Sequence, residues 1–250
     1  GHNVVTDRDA VRRHIGVAFQ APALDIKLTV QENLMHHGHL YGLSGDHLRQ
    51  RIDESLGSIG LRDRARELVE KLSGGLRRRI ELAKALMSHP SVLMLDEPTV
   101  GLDPKARDDF WNLVRDLRTR TGMTVLATTH LLEEGSACDR IAILDEGKLV
   151  ALDQPSVLCS QICGEIVTVH GRNIVDQVGR IDQTLGFDVE TQGDALRIVA
   201  ADGTDAAARV RELLGDGIDS ISIARPTLSD VFRERTGHAF TTEPKMSGAA

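Results

Sequence analysis

Three short, largely apolar runs, each followed by a polar residue, constrain the fold of this sequence more than any other feature. The runs and the residues that follow them are 15–19 before Gln20, 92–95 before Asp96 and Glu97, and 124–129 before His130. Continuous apolar runs are typical of strands covered on both faces, as in a parallel sheet. Because such sheets bind ligands at the carboxyl ends of their strands, we expect these four polar side chains to meet at one edge of a sheet.

Composition favours an α/β protein and excludes one class of partner. The 250 residues are 41% hydrophobic but only 3% aromatic, so the core must be mainly aliphatic, which suits helices packed on a buried sheet. A net charge of −7 provides no basic surface for nucleic acid, and we expect no nucleic-acid partner. No apolar run approaches the roughly 20 residues that span a bilayer, so any membrane association is expected to go through a partner.

Helix starts are predicted between the strands. Thr29 and Glu32 form a capping box that opens a helix ending near Tyr41, and Asp103 before Pro104 places a capping carboxylate at another start. A third helix follows Ser73-Gly74-Gly75, with an apolar stripe formed by Leu76, Ile80, Ala83 and Met87. The arginines at 77–79 lie off this stripe, so we predict that they form a solvated face.

Two short motifs carry candidate chemistry. The N–H groups and hydroxyl of Ser73-Gly74-Gly75, at the positive end of a helix dipole, can bind an anion; the alternative is an ordinary helix start with Ser73 as its cap. Asp96 and Glu97 leave a buried strand together. Asp96 suits Mg²⁺ held through water, and Glu97 suits a base that accepts a proton from an attacking water. The alternative is an acidic strand end without a catalytic role.

The pattern changes after about residue 163. Strands and helices are predicted in the order β-α-β-β-α-β at 165–169, 173–185, 187–191, 196–200, 205–214 and 220–224. This order is that of a ferredoxin-like α+β unit, which we expect to form a separate small domain over 163–238. A last helix is predicted near Leu228–Arg235, and residues 239–250 are predicted to be a disordered tail.

The motifs, taken together and in order, resemble those of ABC transporter ATP-binding subunits. The matching segments are Gln20 (Q-loop), Leu72-Ser73-Gly74-Gly75 (signature), Val92 to Glu97 (Walker B), Gly101-Leu102-Asp103-Pro104 (D-loop) and His130 (switch histidine). The resemblance implies an α/β P-loop NTPase core over residues 1–160, N-terminally truncated, with a helical signature subdomain at about 29–90. The ending Pro226 to Phe232 resembles bacterial drug-resistance exporters of the daunorubicin type.

The resemblance also implies cofactors and roles. ATP and Mg²⁺ are the expected ligands, with Glu97 and His130 catalytic and with Gln20 and Asp96 on the metal. The signature residues Ser73, Gly74 and Gly75 would contact ATP held by a second, head-to-tail subunit, and Asp103 would couple the two sites. Separate transmembrane permease subunits would carry a drug-like or lipid-like substrate, so the chain is expected at the cytoplasmic face of the plasma membrane.

The P-loop that such a subunit needs does not occur in these 250 residues. No G-x-x-x-x-G-K-[ST] is present, and Gly147-Lys148 instead fits a hairpin turn between 141–144 and 149–152. Because the sequence begins without Met, we expect a piece of a longer subunit; a natural short subunit that lends only its signature to a complete partner is the alternative. In both cases we expect little ATP hydrolysis from these residues alone.

Two other functions compete with transport. The ferredoxin-like unit could act as a ligand sensor in a non-catalytic regulatory module, although its acidic residues have no metal-ligand spacing. A metal site at His36, His37 and His39 is the other alternative, and a solvated helix face is the simpler interpretation. The three cysteines, Cys138, Cys159 and Cys163, lack zinc-site spacing and are expected to be reduced thiols.

Overall fold

The computed structural model describes residues 1–237. The predicted tail at 239–250 and the last residue of the predicted C-terminal domain lie outside the described residues. Contacts divide the chain into an N-terminal unit, Gly1–His130, and a C-terminal unit that begins at Leu131. This division is made by contacts and does not test where a family domain ends. The predicted domain limits at residues 160 and 163 therefore stay a prediction.

The N-terminal unit combines a small sheet with five α-helices. Its elements are α1 (Arg8–His14), β1 (Ile15–Ala18), α2 (Val30–Leu40), α3 (Gly45–Ser58), α4 (Gly74–Leu86), β2 (Val92–Asp96), α5 (Pro104–Thr121) and β3 (Thr124–Thr128). The three strands are parallel in the order β1-β2-β3. Each predicted strand therefore forms within one residue of its expected end, and the α/β class is confirmed.

The two faces of this sheet differ. Ala18, Leu93 and Leu95 are buried in a core shared with the helices. On the opposite face, Val17, Met94 and Leu126 are paired across the three strands and are 39%, 37% and 57% exposed. The expectation that both faces are covered is therefore wrong within residues 1–237. We call these three side chains the exposed row.

The predicted helix caps are observed. In α2, the Glu32 N–H donates to Thr29 Oγ1 at 3.2 Å while Thr29 N–H donates to Glu32 Oε2 at 2.8 Å. In α5, the Ala106 N–H donates to Asp103 Oδ1 at 2.9 Å. Each cap satisfies a backbone donor that the first turn of a helix otherwise leaves without a partner.

The prediction of a solvated arginine face on α4 is wrong for Arg78. Arg78 is 7% exposed and Glu81 is 4% exposed, because the loop after β1 and the loop after β2 cover this side of the helix. Glu81 Oε1 accepts the Ala23 N–H at 2.8 Å. Helix α4 is thus enclosed on its apolar stripe and on much of its charged side.

Residues 131–237 of the C-terminal unit contain two sheets. The elements here are α6 (Leu132–Ser136), β4 (Ile141–Asp145), β5 (Lys148–Asp153), α7 (Pro155–Ser160), β6 (Glu165–Gly171), α8 (Val178–Leu185), β7 (Val189–Gln192), β8 (Ala195–Ala200), α9 (Gly203–Leu214), β9 (Ile218–Ala224) and α10 (Leu228–Thr236). Strands β4 and β5 pair antiparallel across the predicted turn, where Glu146 and Gly147 have φ of 47° and 76°. Two consecutive positive φ angles define the type I′ turn that suits a hairpin.

The second sheet of this unit is antiparallel and has the order β7-β8-β6-β9. A core that includes Val167, Ile181, Ile198 and Val210 joins the sheet to α8 and α9. The predicted helix at 173–185 is divided into a 3-10 turn, Ile174–Gln177, and α8. The other predicted elements of this region form within two residues of their expected limits.

Helix α10 is held by an apolar contact and by an ionic one. Leu228, Val231 and Phe232 pack in a cluster with Ile143 of β4 and with residues of α7. On β8, the Arg197 side chain is 6% exposed and lies 2.8 Å from Asp230 Oδ1 on α10. Burial raises the pKa of Asp230, but the Thr227 N–H and hydroxyl and the Arg197 guanidinium outweigh it, so this pKa lies below its usual value.

Candidate functional site

The carboxyl ends of the three parallel strands bring together three of the predicted site residues. Gln20 follows β1, Glu97 follows β2 directly, and His130 follows β3. Gln20 Nε2 donates to Glu97 Oε2 at 2.7 Å, and His130 Nδ1 lies 3.4 Å from Glu97 Oε1. Glu97 and His130 side chains are 29% and 33% exposed, so the carboxylate lies between an amide and an imidazole and still reaches solvent.

Asp96 belongs to the same edge through a threonine. Thr128 is the register partner of Asp96 on β3, and its hydroxyl donates to Asp96 Oδ1 at 2.6 Å. Thr128 Oγ1 also accepts the Glu97 N–H at 3.0 Å. Thr128 therefore orients both acidic residues. Sequence reasoning included Thr128 only as part of a strand, and the alignment of two strand ends was the signal available for it.

The main chain of Glu97 is strained. Its φ is 42°, in the left-handed region that glycine adopts readily and other residues rarely. Such a conformation costs on the order of 1–3 kcal/mol and persists only where neighbouring groups hold it. Here the Glu97 N–H is bonded to Thr128, and the Glu97 carbonyl accepts from Arg78 Nη2 at 3.0 Å. Both ends of the residue are therefore fixed.

The signature residues form a second group, beside the start of α5. A Cβ added to Gly75 would lie 3.2 Å from Ala106 Cβ, and one added to Gly74 would lie 3.9 Å from a methyl of Leu102. Ser73 is the N-cap of α4, and its Oγ accepts the Leu76 N–H at 3.4 Å. The structure thus shows the capping role of Ser73, and the N–H groups of the first turn keep the geometry of an anion site.

Asp103 also has a role inside the chain. Its carboxylate caps α5, as described above, and it lies in the loop next to Gly74 and Gly75. The structure therefore joins the signature and the D-loop into one surface region. A coupling role for Asp103 between two subunits stays a prediction.

The donor set at the strand ends suits Mg²⁺ bound with phosphate. Magnesium prefers carboxylate oxygens together with waters and substrate oxygens. Asp96 supplies an exposed carboxylate. Because the Gln20 amide nitrogen is bonded to Glu97, the amide oxygen of Gln20 is the atom that remains for a metal. A site of this kind needs nucleotide oxygens to complete it, which agrees with a substrate-bound metal.

The histidine alternative receives no support. Within residues 1–237, no group of three or more His, Cys, Asp or Glu side chains could hold a metal ion. His36 and His39 are exposed and His37 is half-buried. Burial, aided by the Lys84 charge, lowers the pKa of His37 to about 4, while a backbone hydrogen bond at Lys84 opposes the shift. His37 is thus a neutral, packed side chain.

The sequence that carries β1, β2 and the helix beginning after Ser73 matches a known family. The family model for ABC transporters matches residues 1–100. Curated relatives at more than 30% identity extend the similarity over 95% of the chain and over three quarters of their own length. The chain belongs to the ABC transporter ATP-binding proteins. Among the described residues, no helix is both long and apolar enough to cross a membrane.

Particular relatives define the branch of the family. The daunorubicin resistance ATP-binding protein DrrA3 of Streptomyces coeruleorubidus is 39% identical over 244 residues, which are 95% of this chain and 77% of that protein. The linearmycin resistance ATP-binding protein LnrL of Bacillus subtilis (strain 168) is 34% identical over 95% of this chain and 79% of that protein. The predicted resemblance to drug-resistance exporters is confirmed.

A solved structure supports the fold. The cbiO1 protein of Clostridium perfringens, described as part of the ABC transporter complex cbiONQ, matches with a TM-score of 0.55 and 24% identity. The match covers 70% of this chain and 65% of that chain. At this identity the likeness concerns the fold alone.

Proposed function

We propose that this chain is an ATP-hydrolysing subunit that drives export of a drug-like or lipid-like compound through separate membrane subunits. The observation that carries the proposal is the Glu97 carboxylate, held between Gln20 and His130 beside Asp96 at the ends of parallel strands. The resistance functions in the names of DrrA3 and LnrL, and the Nod factor export named for a Neorhizobium galegae relative at 36% identity, support export.

Each residue of the edge has a proposed role. Glu97 accepts a proton from the attacking water or orients it, and His130 stabilises charge on the transferred phosphate. Asp96 and the Gln20 oxygen hold Mg²⁺, which neutralises charge on the phosphate oxygens during transfer. Thr128 keeps the two acidic residues in place. Positioning and electrostatic stabilisation are the main tasks of a protein in phosphoryl transfer, and this edge supplies both.

The signature is proposed to act on a second subunit. Ser73, Gly74 and Gly75 present backbone donors at the positive end of α4, next to the Asp103 loop. Two ATP-binding subunits arranged head to tail would place these donors on ATP held by the partner. Membrane subunits would hold this pair at the cytoplasmic face of the plasma membrane.

The C-terminal unit is proposed to contain a ferredoxin-like accessory domain. Numbered within its own sheet, the strand order β7-β8-β6-β9 is 2-3-1-4, and the element order is β-α-β-β-α-β. Two helices cover one face of that sheet. These features support the proposal, and the predicted limits of 163–238 are kept.

The phosphate cradle is proposed to come from residues other than these 250. The sequence contains no G-x-x-x-x-G-K-[ST], and the N–H groups of such a loop and its lysine are what hold ATP phosphates. We therefore expect slow ATP hydrolysis by the 250-residue chain alone. The same observation favours the second candidate, a subunit that lends only its signature to a complete partner.

Substitution of Glu97 tests the proposal. In the native protein purified with its membrane subunits, Glu97→Gln is expected to lower kcat for ATP at least about a hundredfold and to trap ATP-bound dimers, because the base is lost while ATP binding is kept. Glu212→Gln, an exposed change on α9, is the control. Unchanged hydrolysis by Glu97→Gln would favour the signature-lending subunit instead.

A further inference from the structure

One buried cation at the functional edge has no part in the roles above. Arg78 is in the second turn of α4, five residues after the cap Ser73, and it is 7% exposed. A buried guanidinium is costly unless its donors are satisfied. Burial lowers its pKa, while the charges of Glu81 and Asp96 oppose that shift. The group remains a cation with five donors at any working pH.

The partners of Arg78 are main-chain carbonyl oxygens from two loops. Nη1 donates to the Phe19 carbonyl at 2.7 Å. Nε donates to the Pro98 carbonyl, and Nη2 donates to the Glu97 carbonyl at 3.0 Å and, at the 3.5 Å limit, to that of Asp96. Because the guanidinium is planar and rigid, it fixes the two loops relative to each other as well as binding each of them.

These two loops carry the side chains that meet at the edge. Phe19 directly precedes Gln20, and Glu97 supplies the carboxylate that Gln20 contacts at 2.7 Å. Arg78 therefore holds the main chain on both sides of that hydrogen bond. It also holds the carbonyl of Glu97, whose φ of 42° needs support.

We propose that Arg78 is a positioning residue for ATP hydrolysis, which sets the relative placement of Gln20 and Glu97 from the helix that begins with the signature. The inference rests on the proposed function and adds a role inside the same site. Arg78 does not touch the reacting atoms, so its removal acts on kcat through geometry. A displacement of about 1 Å at a reacting group costs on the order of a hundredfold in rate.

Kinetics of the native protein with its membrane subunits test the proposal. Arg78→Gln is expected to lower kcat between about tenfold and a hundredfold, with KM for ATP within about threefold of wild type. Arg78→Lys keeps the charge but loses the planar fork, so an intermediate kcat is expected. Arg79→Gln is the matched control, because Arg79 makes only a partly exposed ion pair, with Asp109 at 3.7 Å; kcat within about twofold of wild type is expected.

Amide hydrogen exchange gives a readout that does not need ATPase activity. In the 250-residue chain, Arg78→Gln and Arg78→Lys are expected to raise amide exchange about tenfold at residues 19, 20, 97 and 99, with no such change in Arg79→Gln. If Arg78→Gln yields no folded protein, Arg78→Lys decides. A wild-type kcat in a folded Arg78→Lys or Arg78→Gln variant, or unchanged exchange at both loops, overturns the proposal.

Glu97→Gln in the same assay separates this proposal from the proposed function. If Glu97→Gln abolishes hydrolysis and Arg78→Gln hydrolyses ATP at the wild-type rate, the proposed ATPase function stands and the positioning role of Arg78 is wrong. A wild-type rate in Glu97→Gln would overturn the ATPase itself, whatever Arg78→Gln does.

Discussion

At the scale of single residues, one hydroxyl group, that of Thr128, contacts both acidic residues of the site. It donates to Asp96 at 2.6 Å and accepts the Glu97 N–H at 3.0 Å. A hydrogen bond to a charged group contributes about 1.5–3 kcal/mol, and about 1.4 kcal/mol corresponds to a tenfold change in rate. One small side chain therefore supports both the metal ligand and the base.

Thr128→Val removes this hydroxyl with little change of shape. We expect kcat for ATP in the native transporter to fall about tenfold, because both acidic residues lose a fixed partner. Thr128→Ser keeps the hydroxyl and is expected to retain kcat within about threefold. Equal rates for the Val and Ser variants would show that the hydroxyl does not orient the site.

The role of Glu97 could be predicted from the sequence, whereas the contacts of Arg78 could not. Glu97 was predicted because a buried strand ends at an acidic pair, which is a local pattern. The carbonyl partners of Arg78 lie up to 59 residues away along the chain, and no local pattern encodes them. The alternating charges of Arg78, Glu81 and Lys84, three residues apart on α4, are typical of a solvated helix face and gave no sign of this enclosure.

At the scale of elements, helix starts were predictable where the cap and its partner are neighbours in sequence. The α2 and α5 caps each join residues three apart. Helix α3 begins at Gly45 without a side-chain cap bond from Ser44, and the sequence patterns did not predict it. The pattern that predicted α10 was local too, but the docking of α10 to β8 depends on Arg197 of that strand, which lies 33 residues from its partner Asp230 along the chain.

Substitution of Arg197 tests how much its ion pairs contribute to the stability of the packed α10. Its side chain is 6% exposed and pairs with Asp230 at 2.8 Å and with Glu190 at 3.1 Å. Removing one partner of a buried pair leaves the other uncompensated and costs about 3 kcal/mol or more. Arg197→Met is therefore expected to lower the free energy of unfolding by about 3 kcal/mol, measured by denaturant unfolding.

The control for this variant is Arg211→Met, an exposed position on α9, for which a change within about 0.5 kcal/mol is expected. A loss below about 1 kcal/mol in Arg197→Met would show that the apolar contacts of Val231 and Phe232 hold α10 without the ion pairs.

At the scale of the whole molecule, each compact unit has its own apolar core. The core of the N-terminal unit lies within residues 18–127, and the two cores of the C-terminal unit lie within 132–232. The order of the nine strands within residues 1–237 followed from hydrophobic runs and turn residues, whereas the helices α1, α3, α6 and α7 were not predicted. The exposed face of the parallel sheet was not predicted either, because a run of apolar residues predicts coverage without saying what provides it.

Because the two units have separate apolar cores, we expect each unit to fold without the other. Residues 131–250, expressed alone, are expected to unfold in one cooperative step, with a calorimetric enthalpy of about 0.7 kcal/mol per ordered residue near 60 °C. The chain has one tryptophan, Trp111 of the N-terminal unit, so its fluorescence in the full chain reports that unit alone. A broad, non-cooperative transition of the fragment would contradict the prediction that the C-terminal unit folds without the N-terminal unit.

The exposed row affects how this protein behaves in assays that use apolar dyes. Dyes such as ANS bind accessible apolar surface and usually indicate a loosened, molten protein. Val17, Met94 and Leu126 offer such surface in the fully folded chain. Dye fluorescence of this 250-residue protein is therefore expected before any unfolding begins, so a dye-based melting curve would start from a high baseline and report surface chemistry as well as stability.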